Sequence, residues 1–307
     1  MRFRFRWLAI AFALCLTAPA RGDDLFPSQL LRFEPIAKNP VFTAAGPGHW
    51  DARIRERGWI LKDEAGWHLW YTGYDGTREG LKMLGYASSP DGLTWTRSDR
   101  NPIYKEHWVE DMMVVKTGDT YYMFAEGLND RAQLLTSTDR LSWTRRGTLR
   151  ILKTDGSPIS EGAYGTPTAW HENGKWRLFY ERSDKGIWLA EATSDDLLEW
   201  KNVNDEPVIS PGPDEFDRKM VAANQVLKIG GRYYLSYHGT AADTMPSKWA
   251  CGLAVSDDLI HWKKYAGNPL RPIAENKSSG IFVPDGNSFR FYTVHNQVDA
   301  YVPMPAK

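Results

Sequence analysis

The chain is almost without cysteine: Cys15 and Cys251 are the two it has. Net charge is equally scarce, with 38 basic residues against 38 acidic ones. Such a balance gives no general attraction to nucleic acid or to an anionic membrane surface, so neither is expected as a partner. Long apolar runs are missing too. The one notable run, Trp7 to Leu16, is half the length of about twenty residues that a membrane span takes. There is no His-Glu-x-x-His and no cysteine pair, which removes the usual signatures of a zinc or redox site. No segment keeps a helical period for long, which argues against an α/β fold.

The short apolar run has its own reading. Arg2, Arg4 and Arg6 precede it, and Ala18-Pro19-Ala20 follows with small residues. Together these make a signal peptide over residues 1–22, and a secreted or periplasmic location is expected. Cys15 would leave with it. Cys251 would then stand alone, so the mature domain, 23–307, is expected to hold together by its core without a disulfide.

Aromatic residues are what the chain has in excess, with 14 Trp and 14 Tyr, and they come in a repeating frame. Asp-x-(Leu/Ile)-x-Trp occurs at Asp91–Trp95, Asp139–Trp143, Asp196–Trp200 and Asp258–Trp262. A turn followed by an aromatic strand occurs five times, ending at Tyr71, Phe124, Tyr180, Tyr237 and Tyr292. Each copy follows a short apolar run, and the first four lead on to a third strand. The unit reads as strand, tight turn, strand, loop, strand, Asp-turn, strand, with hairpin chemistry such as Asn173-Gly174 and Gly230-Gly231 at its joints. Five four-stranded antiparallel units make an all-β, five-bladed β-propeller. The fifth unit lacks its Asp-turn, and Leu31–Phe42 is expected to complete it and close the ring. The recurrent Asp91, Asp139, Asp196 and Asp258 read as turn caps.

Propeller geometry then fixes where chemistry gathers. The start of each innermost strand and the end of the next strand lie on one face. The starts carry Arg55-Glu56-Arg57, Glu110-Asp111, Gly165-Thr166 and Ala223-Asn224. The ends carry Tyr74-Asp75, Glu126, Glu181-Arg182 and His238. Asp51 and Glu161 lie just upstream, where a loop would bring them in. Carboxyl groups crowded in a partly dry site push their pKa values apart, giving a proton donor beside an ionised base. Glycosidic bond cleavage uses such a pair. Arg53, Arg55 and Arg57 read either as a clamp for phosphate, sulfate or uronate, or as structural partners of Glu56, Glu110 and Glu126. No cofactor is expected. A cation held through water by His238 and His295 has less support than two hydrogen-bonded histidines.

Several of these segments resemble the superfamily of five-bladed propeller glycosidases. It includes the arabinanase and xylosidase family 43, the invertase-like family 32, the neoagarobiose hydrolases of family 117 and the mannoside phosphorylases of family 130. The resemblance rests on Trp70-Tyr-Thr-Gly-Tyr-Asp-Gly76, Met123-Phe-Ala-Glu-Gly127, Phe179-Tyr-Glu-Arg182, Ser236-Tyr-His-Gly239 and Lys264-Tyr-Ala-Gly-Asn-Pro269. It implies a base or nucleophile on blade one (Glu56 or Asp51), a pKa-tuning Asp111 on blade two, and an acid, Glu181 or Glu161, from blade three. Arg55, Arg57, Asp75, Glu110, Glu126, Thr166, Asn224 and His238 would surround a carbohydrate substrate. The implied activity is exo-acting glycoside hydrolysis. A phosphorylase using phosphate held by the hub arginines, or a sugar-binding propeller without catalysis, is the alternative.

Overall fold

The computed structural model describes residues 25–159, 164–242 and 247–304. The leader at 1–22 and Glu161 lie outside the described residues. Five antiparallel sheets form five blades, each with its strands lettered A to D from the hub outward, and no α-helix occurs among the described residues. Blade one divides strand A into Arg53–Ile54 and Trp59–Asp63, followed by Gly66–Tyr74, Met83–Ser89 and Thr96–Arg97. Blade two runs Glu110–Thr117, Thr120–Glu126, Ala132–Ser137 and Thr144–Thr148. Blade three runs Gly165–Glu172, Lys175–Glu181, Ile187–Ala192 and Glu199–Asn202, with Arg150–Leu152 added in parallel at its edge. Blade four runs Met220–Ile229, Arg232–Thr240, Trp249–Ser256 and Lys263–Lys264. Blade five has three strands of its own, Gly280–Asp285, Ser288–Val294 and Gln297–Pro303.

The fourth strand of blade five comes from the other end of the chain. Phe33 pairs with Pro303 and Phe42 with Val298, both antiparallel. The ring is thereby closed, and the outer strand of its last blade is not left unpaired. The Phe33 ring lies 5.2 Å from that of Phe291 and 5.7 Å from that of Phe282, which fastens the added strand through its side chains as well.

The repeated Asp-turns carry out the capping expected of them. Asp139 accepts from the backbone N–H of Leu141 (2.9 Å) and Ser142 (2.6 Å), and Asp258 does the same for Ile260 and His261. Asp91 caps Leu93 and Thr94, and these bonds draw its carboxyl down to about pKa 2. In blades two, three and four the Trp that ends the turn packs against strand B of the preceding blade. Trp143 meets Trp70, Trp200 meets Phe124 and Trp262 meets Phe179, all edge-on at about 6 Å. Blades two, three and four therefore each place their outer turn on the neighbouring blade's aromatic strand.

At the hub the innermost strands do not begin in regular pairing. The register slips between Glu110 and Met113, between Gly165 and Thr168, and between Ala223 and Gln225. Arg57, Asp111 and Thr166, at matching places in three blades, adopt positive φ of 51°, 46° and 48°. A bulge at this point re-aims a side chain, and in blades two and three it turns Asp111 and Thr166 toward the hub cavity.

Candidate active site

A cavity of about 230 Å³ opens at the hub, on the face where strands A begin. Blade one lines it with Arg55 and Glu56, and blade two with Asp111, Glu126 and Asp130. Gly165, Thr166, Glu181, Arg182 and Lys185 come from blade three, Met220, His238 and Trp249 from blade four, and Ser278 precedes blade five. Glu110, Arg57 and Asn224 stand directly behind, each bonded to a neighbour of this lining or to a lining residue itself.

Arg57 is the pin of the hub. Its side chain is buried and donates to the backbone oxygens of Asp111 (3.2 Å) and Pro167 (3.3 Å) and to the Thr168 hydroxyl (2.9 Å). One guanidinium therefore joins the bulges of blades one, two and three. Arg55 reaches Glu110 Oε2 at 2.8 Å and Glu56 at 3.5 Å. The pairing of arginines with acids holds for these two. Glu126 instead accepts the backbone N–H of Thr166, and Arg57 binds mainly carbonyls.

The acids at this mouth are held in a dry setting. Burial raises Asp111 well above the ordinary carboxyl range, the charges of Glu56 and Glu110 add to it, and Arg57 and Arg55 oppose it. Glu126 is also pushed well up, by burial first and then by Asp111. Burial raises Glu181 too, although Lys185 at 3.1 Å works against it. Glu126 and Glu181 converge on Gly165: a methyl group there would sit 3.2 Å from Glu126 Oε1 and 3.7 Å from Glu181 Oε2. A side chain at this strand start would press on the Glu126 carboxyl. His238, bonded to Asn224 at 2.6 Å, is driven down to about pKa 3 by burial and by Arg57, so it is neutral. His295 bonds Ser278 at 2.7 Å and lies 3.4 Å from Glu56.

Several buried polar atoms here have no hydrogen-bond partner among the described residues: Asp111 Oδ1, Thr166 Oγ1 and Asn224 Nδ2. Such atoms cost free energy unless something polar meets them, and their gathering at one cavity is the mark of a ligand site. Trp249 stands edge-on to His238 at 5.2 Å and gives the cavity an aromatic wall. Glu110, Glu126 and Asp130 bring carboxylate oxygens within 4.8 Å of one another, a set able to hold a hard cation, with Arg55 already beside Glu110.

Two expected residues lie elsewhere. Asp51 is buried away from the cavity, bonded to the Tyr71 hydroxyl (3.1 Å) and to Arg97 (3.0 Å), with Asn101 also on Tyr71. Blade four repeats the arrangement with Asp217, Tyr237, Lys264 and Asn268. The repetition marks it as part of the blade frame. Asp75 is exposed and caps its own loop through Thr77 N at 2.8 Å. The lining also includes residues that strand positions alone did not indicate. Asp130 comes from a loop, Lys185 pairs with Glu181, and Trp249 opens strand C of blade four, paired with Thr240 at the end of strand B and with its ring against His238.

No family model and no curated protein sequence matches the chain. Solved structures do. A glycosyl hydrolase from Bacteroides ovatus superposes with a TM-score of 0.70 at 16% identity, covering 92% of this chain and 97% of that one. The fold is that of the five-bladed propeller glycosidases. A β-1,2-mannobiose phosphorylase from Listeria innocua, solved with β-1,2-mannobiose, gives 0.67 at 17% identity over 88% of this chain and 96% of its own. A third solved structure also gives 0.67, at 16% identity over 92% of this chain and 98% of its own. It was described with the finding that the family-130 mannoside phosphorylases contain glycoside hydrolases targeting β-1,2-mannosidic linkages in Candida mannan.

Proposed function

We propose that this propeller is an exported, exo-acting glycoside hydrolase whose hub cavity takes the terminal sugar of an oligo- or polysaccharide. The observation that carries the reading is the set of acids with raised pKa values around one cavity that also holds unpartnered polar atoms. Glu181, whose pKa burial raises, is the proton donor to the leaving oxygen. Glu56 is half-exposed beside Arg55 and His295, and it serves as the base that takes a proton from water or as the nucleophile. Asp111 lines the cavity with them and its carboxyl feels the charge of Glu56, which suits it to the tuning role. Trp249 offers a face for the sugar ring to stack on.

A second reading has support of its own. Arg55, Arg182 and Lys185 all line the cavity, so inorganic phosphate has cations to meet, and the phosphorylase neighbour shares the fold. Arg55 and Lys185 are engaged with acids, and the Arg182 guanidinium lies 4.5 Å from the Trp188 ring centre, so hydrolysis is favoured. Sugar release from a panel of manno-, xylo-, arabino- and galacto-oligosaccharides, with and without phosphate, tests both. Release in plain buffer supports the hydrolase. Release only with phosphate selects the phosphorylase, and binding without release in either condition ends the enzymatic reading.

A further inference from the structure

A second concavity, of about 430 Å³, lies beside the hub between blades one and two. The loop 126–131 is the ridge between the two. Glu126 and Asp130 face the hub cavity, while Gly127, Leu128 and Arg131 face the groove. The groove holds two of the three exposed large apolar side chains among the described residues, Leu81 at 39% and Leu128 at 59% exposure. Together they give this groove an apolar lining open to a ligand.

The groove wall is built with care for its shape. The Lys82 ammonium is buried and donates to the carbonyls of Gly80 (2.8 Å) and Arg78 (3.1 Å), which fixes the loop that carries Leu81. The same ammonium lies between two rings, 4.3 Å from Tyr74 and 4.4 Å from Trp108. Trp108 in turn donates to Glu110 Oε1 at 2.6 Å, and its carbonyl accepts from Gln133 at 2.7 Å. One held aromatic residue therefore borders the groove and touches the acids behind the hub.

We infer that this groove is a binding site for the sugar units beyond the bond to be cleaved. Apolar side chains with a tryptophan edge suit the C–H faces of a pyranose, and Glu106 and His107 on the rim suit its hydroxyls. Size agrees: the hub cavity alone falls below the roughly 300–1,000 Å³ common for ligand pockets, so it fits little more than one residue of a chain. The inference rests on the hydrolase reading of the hub, and it adds that the substrate is an oligosaccharide with its leaving portion held between blades one and two.

The test compares the wild type with a Leu81→Ser, Leu128→Ser double variant on oligosaccharides of two to five units from the panel above. Both positions are exposed, so the core is left intact. In the wild type kcat/KM rises with chain length. In the variant the ratio of kcat/KM for the longest to the shortest substrate falls by about tenfold, one apolar contact's worth of discrimination. Calorimetric titration of the pentamers into an Asp111→Asn background gives a readout that needs no turnover, and there the double variant weakens binding by a similar factor. An unchanged length ratio with unchanged pentamer binding overturns the groove while leaving the hub reading intact. Absence of both turnover and binding for every sugar overturns the two together.

Discussion

Asp111 is expected to be a residue whose loss helps the fold and ruins the chemistry. Its burial favours the neutral form, so the folded pKa stands above the unfolded one. A carboxyl in that position contributes stability below the ordinary Asp range, and the contribution is lost as pH rises toward and through its folded value. At neutral pH Asp111→Asn should therefore raise Tm by about 2–4 °C for each ~1 kcal/mol relieved. The gain should shrink as pH falls through the raised folded value, where the native side chain takes up its proton. The same variant should lower kcat by about 10²–10⁴-fold, the range associated with general acid–base groups. A thermal scan at two pH values and one rate measurement check both halves. Gly165→Ala offers a finer probe, since its methyl would press against Glu126 Oε1 without displacing a backbone bond. A fall in kcat of about tenfold or more with Tm little changed is expected, because small misplacements of catalytic groups are costly.

At the scale of the element, the Asp-turns are small devices repeated for stability. Asp139→Ala removes two backbone bonds and a bond to the Ser142 hydroxyl, and should cost about 1–3 kcal/mol by urea denaturation. Its carboxyl is drawn far below the ordinary value by these bonds, although burial opposes them. The difference between variant and wild type should therefore persist at neutral pH and fade only in strong acid. These turns were legible in the sequence because their signal is local: one Asp, one Leu or Ile and one Trp within five residues. The five aromatic strands were legible for the same reason, and the strand starts at Glu56, Asp111 and Thr166 followed from counting back along them. What the repeat does not encode is which acid a loop turns inward. Asp51 and Asp75 sit near strand ends like the others, yet one is claimed by Tyr71 and the other by its own turn. Asp130 shows the reverse, reaching the hub from a loop with no strand register to announce it. Trp249 had a signal that can be read afterward, since a residue paired across from the end of strand B must share its face.

At the scale of the whole molecule, Arg57 and the closing strand do comparable work at the centre and the rim. Arg57→Met would leave two carbonyls and one hydroxyl without their donor, and should cost about 3 kcal/mol or more, read as a lowered urea midpoint. Phe33→Ala should cost about 3–5 kcal/mol for a buried aromatic. The injury should be confined in space: amide exchange ought to accelerate in Gln297–Pro303 and hardly at all in blade three. Equal acceleration around the ring would mean that the blades open together.

The pairing of Phe33 with Pro303 also sets an order in time. A ribosome delivers residues 33–43 long before residues 297–303, so the early strand has to wait, partner unmade, while four blades emerge behind it. The circle can lock only when nearly the whole chain is free. Any handler that keeps the nascent protein open until synthesis ends is working with this topology.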